Sequence, residues 1–327
     1  MKSFWRISII FLLVFMQTYS LSAGKEDSLK QCLQAKNQKN YSLAVSFCTQ
    51  ALSEDPNYID ALFWRGYSRI ELEQYEAAID DLTRVLKLRP LDLEALLTRA
   101  AAYRRAGNYR QAMMDADRAL EINPMFARGF MTRGMIWEDI QDRGKAIADF
   151  TRAIEIDPRH KEAYYNRGCV YEKQQRYPEA IADYTRAIEL DPKHMPSYDN
   201  RGYLYKEQQR YPEAIADYTR VIEIDPGHKS AYHNRGNIYA KQQRYQEAIA
   251  DFTRAIKITP GNPISYFARG YAYAKQQRYQ EAIADFTSAI EIDPMLKAAY
   301  NNRGLAYQKL GRQTEASRDF ATAESLK

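Results

Sequence analysis

Four histidines, three cysteines and 42 acidic residues are the first side chains in this 327-residue sequence to weigh for redox, metal or acid–base chemistry. His160, His194 and His228 recur once every 34 residues. On neighbouring helical hairpins they would stand roughly 10 Å apart. Ligands of a shared ion need to approach to about 2 Å, so the three read as loop surface, not as a metal site. No H-E-x-x-H, G-x-S-x-G, Gly-rich phosphate loop or C-x-x-C is present, and the acidic residues mostly recur at fixed repeat positions. The expectation is a non-enzymatic chain with no catalytic residue, cofactor or metal.

Charge argues the same way. The 47 basic and 42 acidic residues give a net charge of +5, and the two signs alternate along the chain. Nucleic-acid binders instead collect basic residues on one face, so no nucleic-acid partner is expected. The first 23 residues differ from the rest: Lys2 and Arg6 precede an apolar run from Ile7 to Tyr19, and small residues follow from Ser20 to Ala23. A run this short falls below the roughly 20 residues of a membrane span, so residues 1–23 read as a signal peptide cleaved after Ala23. An uncleaved anchor is the alternative. The chain is then expected to be exported, periplasmic or secreted, with no membrane span after cleavage.

The elements that position everything else follow from one period. Pro56, Pro90, Pro124, Pro158, Pro192, Pro226, Pro260 and Pro294 are spaced by 34, and ten residues after each stands Gly66, Ala100, Gly134, Gly168, Gly202, Gly236, Gly270 or Gly304. Within 161–194, Tyr164, Gly168 and Tyr171 fall at helical spacing. A second apolar series follows at Ala180, Ile181, Tyr184, Ala187 and Ile188, and Asp191-Pro192 ends it. Each period is therefore a helical hairpin, and its small residues let the two helices approach closely.

The residues Tyr164, Gly168, Tyr171, Ala180, Tyr184, Ala187 and Pro192 stand at positions 4, 8, 11, 20, 24, 27 and 32 of this unit, and the unit resembles the tetratricopeptide repeat. Nine units start at 25, 59, 93, 127, 161, 195, 229, 263 and 297, so the resemblance spans 25–327. It implies an all-α, right-handed superhelical solenoid of about nine stacked helix-turn-helix units. Two departures from the family pattern stand out: position 7 is Arg in eight units, from Arg65 to Arg303, and position 23 is Asp in the same eight, from Asp81 to Asp319. They suggest an exposed Arg–Asp ladder that sets register and contributes only about 0.2–1 kcal/mol per pair. Cys32 and Cys48 occupy positions 8 and 24 of the first unit, which face each other across a hairpin. A disulfide there would be worth about 3 kcal/mol, and two buried thiols are the alternative.

The family resemblance further implies that the first helix of each hairpin lines a concave groove, with positions 2, 5, 9, 12 and 13 presented to a partner. Positions 5 and 9 supply Phe63, Tyr67, Leu97, Met131, Met135, Tyr165, Tyr203, His233, Asn237, Phe267 and Tyr271. Among the four units from 161 to 296 the scaffold positions are the same while positions 5 and 9 differ, through selection on the groove or through drift of exposed positions. Charges of both signs are interleaved, including Glu94, Arg104, Arg105, Arg128 and Asp139. Such a stripe suits a protein partner, as an extended peptide or an amphipathic helix. The clamp that this family uses on acidic chaperone tails needs Lys at position 5, which no unit has. A structural protein is the alternative, a homo-oligomer associating through its uncapped last unit around Leu305, Leu310 and Phe320.

Overall fold

The computed structural model describes residues 24–326, and the expected signal peptide at 1–23 lies outside them. The described residues form helical hairpins without strands. Helix α1 is described over 24–37. It is followed by α2 (Tyr41–Glu54), α3 (Ile59–Glu71), α4 (Tyr75–Leu88), α5 (Leu93–Arg105), α6 (Tyr109–Ile122), α7 (Ala127–Asp139), α8 (Arg143–Ile156) and α9 (Lys161–Lys173). Then come α10 (Tyr177–Leu190), α11 (Met195–Glu207), α12 (Tyr211–Ile224), α13 (Lys229–Lys241), α14 (Tyr245–Ile258), α15 (Pro263–Lys275), α16 (Tyr279–Ile292), α17 (Lys297–Lys309) and α18 (Gln313–Ser325). The chain divides into two compact units, one ending at Val170 and the other beginning at Tyr171.

Two local devices set the hairpin. Between its helices the second Gln of the Gln-Gln-Arg-Tyr turn takes the left-handed conformation, with φ of 60° at Gln175, Gln209 and Gln243, and Gly107 and Gly311 do the same in other repeats. In five of the eight repeats that carry this proline, an Asp in extended conformation precedes it after the second helix, as the proline ring demands of its neighbour. Its carboxylate accepts a hydrogen bond from the backbone N–H two residues on: Asn57 to Asp55 at 3.0 Å, Gly227 to Asp225 at 2.8 Å, Met295 to Asp293 at 3.0 Å.

Packing inside a hairpin is a trade of volume between positions 8 and 24. A Cβ on Gly134 would lie 2.7 Å from the Phe150 ring, one on Gly236 2.8 Å from Phe252, and one on Gly304 2.7 Å from Phe320. Each ring thus occupies the space that the missing side chain leaves. Gly66 faces the smaller Leu82, and the repeat that has Ala100 at position 8 has Ala116 at position 24. In the first hairpin the pair is Cys32 and Cys48, fully buried and joined by a disulfide with Cα atoms 5.5 Å apart.

The Arg–Asp ladder is not exposed, which corrects the expectation from sequence. The Asp149 side chain is 9% accessible and that of Asp81 only 3%. Arg201 grips Asp217 in a fork, Nε to Oδ2 at 2.9 Å and Nη2 to Oδ1 at 2.7 Å, and Arg65, Arg99, Arg133, Arg235, Arg269 and Arg303 hold their Asp partners by the same two nitrogens or their equivalents. The remaining nitrogen reaches back to the preceding hairpin: Arg201 to Thr185 Oγ1 at 2.8 Å, Arg235 to Thr219 at 2.8 Å, Arg99 to Thr83 at 2.9 Å. One guanidinium therefore joins three helices. The planar fork of Arg, which Lys lacks, makes this possible.

Candidate partner-binding groove

Which face is available follows from helix contacts. In the first unit α3 touches α5 and α5 touches α7, and in the second α13 touches α15 and α15 touches α17. Among the described residues the second helices of successive hairpins make no comparable contact. In each unit the first helices form the tighter row, and positions 5, 9, 12 and 13 fall along it.

Position 5 proves to be half core. The His233 ring lies 5.6 Å from Phe252 and Phe267 5.7 Å from Phe286, so each residue at position 5 rests on the ring at position 24 of its own repeat. Phe63 packs with the apolar clusters of the first two hairpins, and Met131 and Met135 with Ala146 and Phe150. Tyr165 is half-buried. Leu97 belongs to the core outright, only 2% exposed, and is withdrawn from the groove. Its repeat has Ala116 in place of a ring at position 24, which leaves room for the leucine to sink. Position 9 stands out from the row in the second unit, where Tyr203 is 43% and Tyr271 39% exposed. Tyr67 instead packs edge-on to Trp64, ring centroids 5.8 Å apart, and burial raises its hydroxyl above the usual tyrosine range.

In the first unit the groove charges are largely spent on each other. Arg104 of α5 pairs with Asp139 of α7 at 2.9 Å, Arg105 with Glu71 of α3 at 3.2 Å, and Arg128 of α7 with Glu94 of α5. These bridges connect neighbouring first helices and brace the row.

The second unit contains a recess of about 730 Å³. His233 and Phe252 form part of its floor, Asn237, Phe267 and Tyr271 its wall, and Lys206, Lys241 and Lys275 its rim. The second unit also leaves polar atoms unsatisfied: His233 Nδ1 in the recess, and Asp199 Oδ1 and the Tyr218 hydroxyl, are buried without a hydrogen-bond partner. Burial, together with the charge of Lys206, holds the His233 imidazole below its ordinary value and therefore neutral near pH 7. Burial raises the Asp199 carboxyl, and burial with the nearby Asp199 charge raises the Tyr218 phenol.

The rim lysines were missed by a sequence reading that concentrated on positions 5 and 9, although the same register places them at positions 12 and 13. The loop histidines serve local structure: His228 Nδ1 accepts from the Ala231 N–H at 3.3 Å, and His194 Nδ1 lies 2.8 Å from Ser197 Oγ.

Within each unit, antiparallel hairpins stacked in register and tied to their predecessors by Arg define a helical-repeat protein. Profiles described as tetratricopeptide repeat match residues 63–125, 127–160, 162–194, 183–216 and 298–327, and a TPR repeat profile matches 202–243, 236–277 and 270–311. The chain belongs to the tetratricopeptide repeat family. Among solved structures it is similar to YrrB, a TPR protein with an unusual peptide-binding site, at 22% identity over 59% of this chain and 97% of that one, with a TM-score of 0.53. It is also similar to TTC0263, a thermophilic TPR protein of Thermus thermophilus, at 22% identity over 55% of this chain and 98% of that one, with a TM-score of 0.50. Both likenesses concern the fold. No curated protein sequence matches the chain.

Proposed function

We propose that this chain is a non-enzymatic scaffold for protein interaction that holds a peptide or a partner helix against the row of first helices in its second unit, and that it works outside the cytoplasm after loss of residues 1–23. The observation that carries this reading is the pair Tyr203 and Tyr271, bulky aromatic rings left 43% and 39% exposed on a surface whose other aromatic residues pack inward. Tyr at the centre of an interface gives large contact area at low entropic cost, and removing such an anchor typically costs about 2 kcal/mol or more. The description of YrrB as a peptide-binding TPR protein favours a peptide over a folded domain. The buried carboxylates of the ladder are engaged by Arg, which favours a structural role for them over acid–base work.

The test is a crosslinking pull-down from native extract with the full chain and with Tyr203→Glu/Tyr271→Glu. Both positions are exposed, so helical content should not change. A partner captured by the first protein and lost with the second supports groove binding. A partner retained by both refutes it.

The alternative, association through the last hairpin, has some support in Leu310, 37% exposed. Leu305, at 51%, instead shares position 9 with Tyr203 and Tyr271 and continues that series. Sedimentation velocity distinguishes the two: a Leu310→Lys chain that still self-associates removes the alternative.

A further inference from the structure

The two units differ in how their groove charges are neutralised. Arg104, Arg105 and Arg128 of the first unit each have a carboxylate on an adjacent first helix. The recess of the second unit is rimmed by three lysines and a single carboxylate, Glu207. Glu207 is 3.1 Å from Lys206, its neighbour in sequence. Lys241 and Lys275 form no ion pair among the described residues, and both are exposed. Lys275 rests 5.1 Å from the centroid of the Tyr271 ring and Lys206 4.6 Å from that of Tyr203. Part of the wall is apolar, formed by Ile264, Phe267 and Tyr271 beside Asn237.

We infer that the occupant of this recess is an acidic peptide segment: carboxylates of the partner pair with Lys241 and Lys275 while an apolar side chain enters between Phe267 and Tyr271. The inference rests on the groove reading above and adds the charge of the partner to it. Two observations carry it together, the excess of positive charge at the rim and the apolar wall beneath. The first makes a basic segment costly to bring in, since like charges meeting at an interface suppress wrong partners. The second disfavours a bare polyanion, which would leave Phe267 and Tyr271 in water. The Tyr271 ring beside Lys275 keeps that ammonium group at the recess through cation–π attraction.

A displayed random-peptide library selected on the immobilised full chain tests this directly. The expected result is an enrichment of Asp and Glu of about twofold or more among selected peptides, always with a neighbouring aromatic or aliphatic residue. A synthetic peptide from that pool should bind about tenfold more weakly to Lys241→Glu/Lys275→Glu, and more weakly as salt is raised. Lys241→Gln/Lys275→Gln serves as a milder variant should charge reversal disturb the fold, with circular dichroism as the control. Selection without acidic bias, or an acidic bias that survives in both lysine variants, overturns the inference but leaves the groove reading standing if Tyr203→Glu/Tyr271→Glu still abolishes binding. If no peptide is enriched, or if the tyrosine variant binds the same peptides equally well, the groove reading and the inference fall together.

Discussion

Arg133 holds Asp149 through two hydrogen bonds, Nε to Oδ2 at 2.7 Å and Nη2 to Oδ1 at 2.9 Å, while its third nitrogen donates to Asp117 on the preceding hairpin at 2.8 Å. The intra-hairpin pair and the inter-hairpin tie share one guanidinium. Closing a hairpin and stacking it on its predecessor are therefore coupled at a single residue.

Replacing Arg133 with Met strands the nearly buried Asp149 carboxylate, and breaking a buried pair in this way should cost about 3 kcal/mol. Arg133→Met/Asp149→Leu leaves no charge to strand and should recover to within about 1 kcal/mol of the parent. Asp117, half-exposed, loses a partner that water replaces. Urea unfolding of the parent and the two variants checks this, and a double variant no more stable than Arg133→Met would contradict it.

Gly134→Ala puts a methyl group where the Phe150 ring stands, 2.7 Å from its nearest atom. Overpacking of this kind costs about 1–3 kcal/mol. Adding Phe150→Leu should return part of that loss, because the chain makes a similar exchange itself with Leu82 and with the Ala100 and Ala116 pair. The measurement is the melting temperature of the two variants; no rescue would show that the fit between positions 8 and 24 is not a matter of volume.

Cys48→Ala removes the disulfide to Cys32, whose residues are 16 apart, and loops of this size contribute about 3 kcal/mol. Stability in a repeat array is passed between nearest neighbours. Hydrogen exchange should therefore accelerate in α1 and α2 while α13 to α16 keep their protection. A uniform acceleration along the chain would mean that the disulfide acts globally.

Two groups of the second unit with buried polar atoms, His233 and Asp199, make opposite contributions to pH dependence. His233 is depressed in the fold, so the unfolded chain takes up a proton that the fold resists, and stability falls as pH drops below the unfolded value of about 6.5. His233→Phe, the residue found at the same position in Phe267, should abolish that decline. Asp199 is raised by burial, so its ionised form penalises the fold above the raised value, and the penalty disappears as pH falls toward the ordinary carboxylate range. Asp199→Asn should therefore be more stable than the parent at pH 7 and lose its advantage in acid. Melting temperatures across pH for the three proteins provide the check.

Much of this molecule was legible in its residues. The 34-residue spacing of proline and of small residues determined hairpins of fixed length, because helical periodicity, Asp-Pro stops and first-turn prolines are properties of short segments. The pairing of positions 7 and 23 was also readable, since both recur in the same eight repeats. Its energetic character was not. Whether an Arg–Asp pair is wet or dry depends on the hairpin stacked beside it, and the Thr or Asp that takes the third nitrogen belongs to the preceding repeat.

The groove shows the same division. The sequence, through its register and its family resemblance, pointed to the positions along the row of first helices and to the aromatic residues among them. Only the tertiary structure decided that Leu97 sinks into the core while Tyr203 and Tyr271 stand out, and that Arg104, Arg105 and Arg128 are already paired whereas Lys241 and Lys275 are not. Depth and charge pairing are set by side chains some 16 to 35 residues away, brought together by the stacking of hairpins, and no local pattern in the chain encodes those distances.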